Sequence, residues 1–186
     1  GYVGLEVSLP GGHQVENAQC AILAAEALDR RRLRIGSDAI WAGLRNTHWP
    51  GRCEWLEESP PIILDAGHNP EAAQALAKYL RELRHRKIFN RLHLVLSTLA
   101  DKDTEGIVQA LYPLADYLVA TRAPSERATA AHELLAIGAP PSQSQAVDNP
   151  REALAAARAS AAPEDLICVC GSTYLVGSLR PLLVDT

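Results

Sequence analysis

The sequence has no methionine and little cysteine. Its four cysteines are Cys20, Cys53, Cys168 and Cys170. They contain no Cys-x-x-Cys pair, so neither a zinc site nor a disulfide framework is predicted, and we expect reduced, mostly buried thiols. The histidines do not cluster with acidic residues at the spacing of metal ligands, so no metal site is predicted within this chain.

Long hydrophobic runs and long basic stretches are absent too. No apolar stretch approaches the roughly 20 residues that a bilayer-spanning helix needs, and no signal peptide is recognisable. The net charge is −4. The short cluster Arg30 to Arg32 is interpreted as a solvated helix end, with a phosphate contact as the alternative. We expect a cytoplasmic monomer that binds neither membranes nor nucleic acid.

Common signatures of phosphate binding and nucleophilic catalysis are missing. The chain has no Gly-x-x-x-x-Gly-Lys-[Ser/Thr] loop, no Gly-x-Gly-x-x-Gly and no Gly-x-Ser-x-Gly. It therefore holds no self-sufficient catalytic set. It also starts at Gly1 without an initiator methionine, and we expect a piece of a longer protein.

From residue 62 onward, short apolar strands alternate with helical patterns. Strands are predicted over 62–65, 92–96, 117–120, 145–147 and 166–170, and helices over about 70–85, 103–112, 125–137, 150–161 and a short last segment ending near Pro181. Residues 53–57 alternate weakly and are predicted as an edge strand. This pattern indicates an α/β fold with helices on both faces of a mostly parallel sheet of about six strands, one edge strand being open to antiparallel pairing.

The first part of the chain has a different pattern. A strand is predicted over residues 1–9 and a helix over about 15–29, and Ser37 is predicted to cap a second helix. We therefore predict two units, an appendage of residues 1–48 and an α/β domain of residues 49–186.

The segment 62–70 organises the α/β domain. Asp65 ends a buried apolar strand, and Gly67 permits a sharp turn. Asn69 is a good N-cap, and Pro70 suits the first helical position. Because ligands of open α/β sheets bind at the carboxyl ends of the strands, and anions bind at helix N-termini, this segment is a candidate ligand site.

Each candidate residue has a functional and a structural interpretation. Asp65 binds ribose hydroxyls or a metal, or it caps backbone N–H groups of its own turn. His68 contacts a phosphate or ribose, or it bonds to a backbone carbonyl. Arg52 follows a Pro-Gly turn and contacts phosphate, or it is an ordinary surface residue. Ser172 opens a helix that cradles an anion, or it belongs to a plain strand-to-helix connection.

A further candidate lies before the first long helix. The segment 11–17 reads Gly-Gly-His-Gln-Val-Glu-Asn. It is either a ligand site at a helix start, with Asn17 as a member, or a capped turn. The residues alone leave both interpretations open.

Taken in order, these motifs resemble one family. They are His-Gln-x-x-Asn-Ala at 13–18, Trp-Pro-Gly-Arg at 49–52, Leu-Asp-Ala-Gly-His-Asn-Pro at 64–70, Lys-Asp at 102–103, Arg-Ala at 127–128 and Gly-Ser-Thr-Tyr-Leu at 171–175. The series is similar to the C-terminal part of folylpolyglutamate synthase, including the bifunctional dihydrofolate synthase form, in the Mur ligase superfamily. The family usually reads Asp-x-Ala-His-Asn-Pro, and this chain departs from it with Ala66 and Gly67, a change expected to alter only the backbone of the turn.

The resemblance implies a three-layer, Rossmann-like C-terminal domain of a ligase. Such an enzyme uses ATP to activate a folate or dihydropteroate carboxylate as an acyl phosphate, which L-glutamate then attacks. By the resemblance, Asn17 lies near the adenine, Arg52 near the phosphates and Asp65 near the ribose. His68 is a further ATP contact, and Ser172 lies on the glutamate side.

The resemblance also implies a partner within the same polypeptide. An N-terminal ATPase domain would supply the phosphate loop and the Mg²⁺ ligands, and residues 1–48 would be the tail of that domain. The chain alone is therefore expected to be inactive. The alternatives are the C-terminal domain of a cell-wall Mur ligase and a stand-alone α/β binding module.

Overall fold

The computed structural model describes residues 2–29 and 33–184. The chain divides into two compact units, Gly1–Pro50 and Gly51–Thr186. The Arg30 to Arg32 cluster lies outside the described residues. No helix in the described ranges is both long enough and apolar enough to cross a membrane.

The N-terminal unit consists of two helices and an extended segment. Helix α1 spans His13–Leu28 and helix α2 spans Ser37–Asn46. The strand predicted over 1–9 is wrong for the described residues 2–9, which form no sheet pairing. Instead, the Ser8 N–H donates to the carbonyl of Leu44 in α2 over 3.3 Å. Gly36, and not Ser37, occupies the N-cap position of α2.

Most of the apolar surface of these two helices is uncovered within the unit. In α1 and α2 the buried residues are Gln14, Ala18 and Ile40. The large exposed hydrophobic residues of this unit are Val3, Val15, Leu23, Leu28, Leu33, Trp41 and Trp49. Such a concentration of exposed apolar side chains is typical of a surface that packs against another element.

The second unit is built on a six-stranded sheet. The strands are β1 Glu54–Leu56, β2 Ile62–Asp65, β3 Leu92–Leu96, β4 Tyr117–Ala120, β5 Ser144–Ala146 and β6 Leu166–Cys170. Their order across the sheet is β1-β2-β6-β3-β4-β5. The edge strand β1 is antiparallel to β2, and all other pairs are parallel. The predicted mostly parallel sheet with an antiparallel edge strand is confirmed.

Helices cover both faces of this sheet. They are α3 Pro70–His85, α4 Thr104–Leu111, α5 Ala131–Leu135, α6 Pro150–Ser160, α7 Thr173–Leu179 and α8 Pro181–Val184, with a 3₁₀ turn at Tyr112–Leu114. Buried residues of α3, α4 and α5 form one core cluster with the sheet, and those of α6, α7 and α8 form a second. Successive side chains of a strand point to opposite faces, so a fully apolar strand such as β2 supplies both clusters.

The helix predicted over 125–137 is wrong in its first half, where the backbone pairs with the segment after β3. The Ala100 N–H donates to the Arg127 carbonyl over 2.8 Å, and the Thr129 N–H donates to the Thr98 carbonyl over 3.0 Å. These bonds hold the chain extended, so helix α5 begins only after them. Local helical propensity is overridden by this tertiary pairing.

Candidate functional site

The candidate site lies where the central strands end. In the parallel register Asp65 of β2 is opposite Cys170 of β6, which is opposite Leu96 of β3. Gly171 follows with a φ of +89°, and a Cβ atom there would stand 2.4 Å from the carbonyl oxygen of Ser97. Only glycine fits this close approach of two strand ends. The carboxyl edge of the sheet is therefore tightly packed beneath the candidate residues.

The carboxylate of Asp65 is buried and already accepts three hydrogen bonds. Its Oδ1 accepts from the Gly67 N–H over 2.9 Å. Its Oδ2 accepts from the Cys53 N–H over 3.0 Å and from the Cys53 thiol over 3.3 Å. The structure thus shows the capping role that the sequence left open. Because a carboxylate offers about four acceptor positions, one on Oδ1 is left for a ligand.

Arg52 is exposed, and the residue before it is fixed by two hydrogen bonds. The Gly51 carbonyl accepts from the Ala66 N–H over 2.7 Å, and the Gly51 N–H donates to Oε2 of Glu54 over 2.8 Å. The Arg52 side chain itself forms no hydrogen bond or ion pair with the residues that the structure describes. An exposed guanidinium on a rigid backbone is suited to a bidentate contact with an anion.

Two contacts that the sequence did not reveal support this loop. Glu54 accepts a bidentate ion pair from Arg180, with nitrogen–oxygen distances of 2.7 and 2.9 Å. The two residues are 126 positions apart, and no local pattern relates them. Cys53 is buried and has a φ of +47°. Burial, and then the nearby Asp65 carboxylate, raise the pKa of the Cys53 thiol, so the thiol stays protonated and can donate.

His68 and Asn69 follow in the turn before α3. The Asn69 side chain accepts from the Ala72 N–H over 2.8 Å, and Pro70 is the first residue of the helix, so the predicted cap is confirmed. Nδ1 of exposed His68 lies 3.1 Å from the Ala66 carbonyl oxygen. A carbonyl only accepts, so this bond places a proton on Nδ1. Nε2 of the neutral ring is then an acceptor, and only the imidazolium can donate from Nε2 to a phosphate.

Ser172 is completely buried at the start of α7. Its Oγ accepts from the Leu175 N–H over 3.5 Å. In this arrangement Ser172 caps the helix, which is the structural one of its two interpretations. No group of three or more His, Cys, Asp and Glu residues in the described ranges is placed to hold a metal ion.

Asn17 lies in the N-terminal unit, at the end of a short polar chain. Its Nδ2 donates to Oε1 of Gln14 over 3.0 Å. The Gln14 amide nitrogen is in turn 3.0 Å from Nε2 of His13. Gln14 is buried and Asn17 is exposed. One N–H of the Asn17 amide is therefore used within the unit, and its carbonyl oxygen is left to accept from a ligand.

Comparison with known proteins identifies the family. A family model described as "Mur ligase, glutamate ligase domain" matches residues 51–173. The dihydrofolate synthase/folylpolyglutamate synthase of Bacillus subtilis is 30% identical over 98% of this chain. Escherichia coli FolC, solved with DHPP and ADP, superposes with a TM-score of 0.84 and 29% identity over 99% of this chain.

A second solved structure gives the same result. The Mycobacterium tuberculosis folylpolyglutamate synthase in complex with ADP and AMPPCP has a TM-score of 0.86 and 34% identity over 98% of this chain. The chain spans 42% of the length of each of these three relatives. The resemblance predicted from the motifs is confirmed, and the chain belongs to the glutamate ligase domain family of the Mur ligases.

Proposed function

We propose that this chain is the C-terminal part of an ATP-dependent ligase that joins L-glutamate to folate or dihydropteroate through an acyl phosphate. One observation carries the proposal: an unpaired, exposed guanidinium, that of Arg52, is held by the backbone beside Asp65 at the carboxyl edge of the sheet. The relatives named above are folate enzymes, and two of them were solved with adenine nucleotides.

The site residues fit a nucleotide in their chemistry. Arg52 supplies a cation for the phosphates, and Asp65 keeps an acceptor position for a ribose hydroxyl. The Asn17 carbonyl oxygen can accept from the amino group of adenine. His68 is a further contact, which donates from Nε2 when the ring is protonated. Ser172 belongs to the glutamate side. Its hydroxyl is buried as the cap of α7, so the start of that helix would have to move before the hydroxyl could contact glutamate.

ATP supplies the phosphoryl group, and this chain supplies positioning and charge. Phosphoryl transfer depends on orientation and electrostatic stabilisation more than on a covalent protein group. We propose that Mg²⁺ is bound by an N-terminal ATPase domain of the same polypeptide. The C-terminal domain then completes the site by closing over the nucleotide and bringing in Arg52.

The N-terminal unit supports such a partner domain. Its helices α1 and α2 leave large apolar side chains exposed, among them Leu23 and Trp41, and Trp49 after α2 is exposed as well. We propose that residues 1–48 are the tail of the ATPase domain and that this surface packs against the rest of it. Burial of apolar surface is the ordinary driving force for such packing.

The test is a ligation assay on the longer protein, including the region that precedes Gly1. ATP- and glutamate-dependent turnover is expected with dihydropteroate or a reduced folate and not with a UDP-muramyl substrate. Turnover with the muramyl substrate alone would favour the cell-wall alternative, and no turnover with any of them would favour the stand-alone binding module. The 186-residue chain is expected to be inactive by itself, and turnover by it would contradict the missing-domain proposal.

A further inference from the structure

The contacts around Asp65 point to a role for this residue beyond its own contact with nucleotide. We infer that Asp65 and Cys53 are positioning residues that hold Arg52 at the carboxyl edge of the sheet. The inference rests on the proposed function, because it assigns to Asp65 and Cys53 an effect that is exerted through Arg52.

The hydrogen bonds enclose Arg52 on both sides. Before it, the Gly51 carbonyl accepts from the Ala66 N–H over 2.7 Å. After it, both donors of Cys53 reach Oδ2 of Asp65, over 3.0 and 3.3 Å. The loop 51–53 is thus joined to the end of β2 by three bonds, and two of them end on one carboxylate oxygen.

The backbone of the loop needs this support. Gly51 has a φ of +71° and Cys53 a φ of +47°. The left-handed region is disfavoured for a residue with a side chain, so Cys53 is held there only by its surroundings. The bonds from its N–H and S–H to Asp65 are the contacts that fix this conformation, and they fix the direction of the chain at the preceding Arg52.

The two oxygens of Asp65 have different tasks. Oδ2 already accepts two hydrogen bonds from Cys53, whereas Oδ1 accepts one, from Gly67. A ligand donor can therefore approach Oδ1, and Oδ2 is committed to the loop. Loss of the carboxylate is expected to have two separable effects, one on nucleotide affinity and one on the position of Arg52.

The first test measures the loop directly, by hydrogen exchange of the backbone amides of residues 51–56 in this chain. Asp65→Ala removes both acceptor oxygens, so the N–H groups of Cys53 and Gly67 both lose their partner. We expect at least about tenfold faster exchange of the Cys53 amide, since its hydrogen bond is lost. The control is Asp103→Ala, because the exposed Asp103 accepts from Gly106 in α4 and not from the loop 51–53.

Two milder variants distinguish a local change in the loop from a general folding defect. Cys53→Ala removes the thiol donor but keeps the N–H bond, and Cys53→Ser keeps a donor. Cys168→Ala makes the same truncation in the same core cluster without a hydrogen bond to Asp65. Faster exchange at residues 51–53 is expected for Cys53→Ala, with recovery in Cys53→Ser and none of the effect in Cys168→Ala. Equal exchange in all of these variants and in Asp65→Ala would overturn the inference.

The second test is a double-mutant cycle in the full-length ligase. Asp65→Ala is expected to lower kcat by about tenfold with Arg52 present, and by less than about twofold in the Arg52→Ala background, because the guanidinium that Asp65 positions is already missing there. The same variant is expected to raise the KM for ATP in both backgrounds, because the acceptor Oδ1 is lost. An equal loss of kcat in both backgrounds would mean that Asp65 does not act through Arg52.

The two proposals fail in different ways. If Arg52→Ala leaves kcat unchanged, the phosphate role of Arg52 is wrong, and the cycle says nothing about positioning. Hydrogen exchange then decides the inference alone, because it reports the conformation of the loop in the absence of any reaction.

Discussion

The two edges of the parallel sheet use their charged residues in opposite ways. At the amino edge, Asp165 precedes β6 and is nearly completely buried. It accepts from the N–H groups of Arg91 and Ala162, over 3.0 and 2.9 Å, and lies 3.1 Å from Nε2 of His93. Asp116, before β4, accepts from Arg84 over 2.6 Å and from the Leu92 N–H over 2.8 Å.

At the carboxyl edge, the Asp65 carboxylate is satisfied, but the basic groups of Arg52 and His68 are not. Asp65 is bonded as fully as Asp165, yet the Arg52 side chain has no polar partner among the described residues, and His68 uses only one ring nitrogen. Charges that are paired inside the fold contribute to its stability, whereas exposed ones on a rigid backbone are available to a ligand. The difference supports the proposal that the amino edge stabilises the domain and that the carboxyl edge binds the nucleotide.

The largest expected effect is at the amino edge. Asp165→Ala leaves three donors without their acceptor, and His93 is fully buried. The orphaned, buried His93 costs about 1–3 kcal/mol and each of the two part-buried N–H bonds about 0.5–1.5 kcal/mol, so the free energy of unfolding should fall by about 3 kcal/mol. Urea denaturation of the chain measures this loss. Asp101→Ala is the control, because its ion pair with Arg127 is exposed and should contribute about 0–1 kcal/mol; equal losses would contradict the comparison.

The next effect is at the carboxyl edge and concerns activity. Arg52→Ala in the full-length ligase should lower kcat by about 100-fold or more, the usual cost of removing one group that stabilises transition-state charge. Unfolding free energy should change by less than about 0.5 kcal/mol, since the exposed side chain forms no hydrogen bond or ion pair with the described residues. Arg158→Ala, which breaks an exposed pair with Glu58, is the matched control. A kcat like that of the control would remove the phosphate role.

The sequence predicted the strands of the sheet better than its helices. Strands 62–65, 92–96, 117–120 and 166–170 have the predicted bounds because continuous apolar runs between turns have few alternatives inside a parallel sheet. Helix α3 was predicted from its Asn-Pro start, a signal with a local cause. The strand over 1–9 and the first half of the helix over 125–137 failed, because pairing with distant segments decides those conformations.

The sequence predicted that Asp65 and Arg52 lie close together, but it did not predict the hydrogen bonds and ion pairs around them. The end of β2 identified Asp65, and the motif order identified Arg52, so their proximity was expected. The partners of Asp65 were not, since a hydrogen bond from Cys53 leaves no periodic trace in the chain. The pairing of Glu54 with Arg180 was hidden for the same reason. The ligand roles of the site residues stay predictions.

A pH titration sharpens the comparison at the amino edge. Burial alone would raise the pKa of Asp165, but the bonds from Ala162, His93 and Arg91 outweigh it and hold the pKa below its ordinary value. The carboxylate therefore contributes stability that is complete above the unfolded pKa of about 3.9 and is lost as the pH falls through the lower, folded pKa. In the parent chain, the urea concentration at the unfolding midpoint should decrease as the pH is lowered below about 4. Asp165→Asn should start from a lower midpoint and show a shallower drop, and parallel curves would contradict this assignment.

The smallest expected effect tests whether every polar residue at the carboxyl edge is functional. Asn69→Ala removes the cap of α3 and should cost about 1 kcal/mol of unfolding free energy, while Asn69→Asp keeps an acceptor for the Ala72 N–H and should cost little. Since the side-chain oxygen of Asn69 is occupied by this bond, kcat of the full-length ligase should fall by less than about twofold in Asn69→Ala, far less than in Arg52→Ala. A loss of kcat comparable to that of Arg52→Ala would place Asn69 with the ligand-binding groups, and an occupied side chain at this edge would then no longer indicate a structural role.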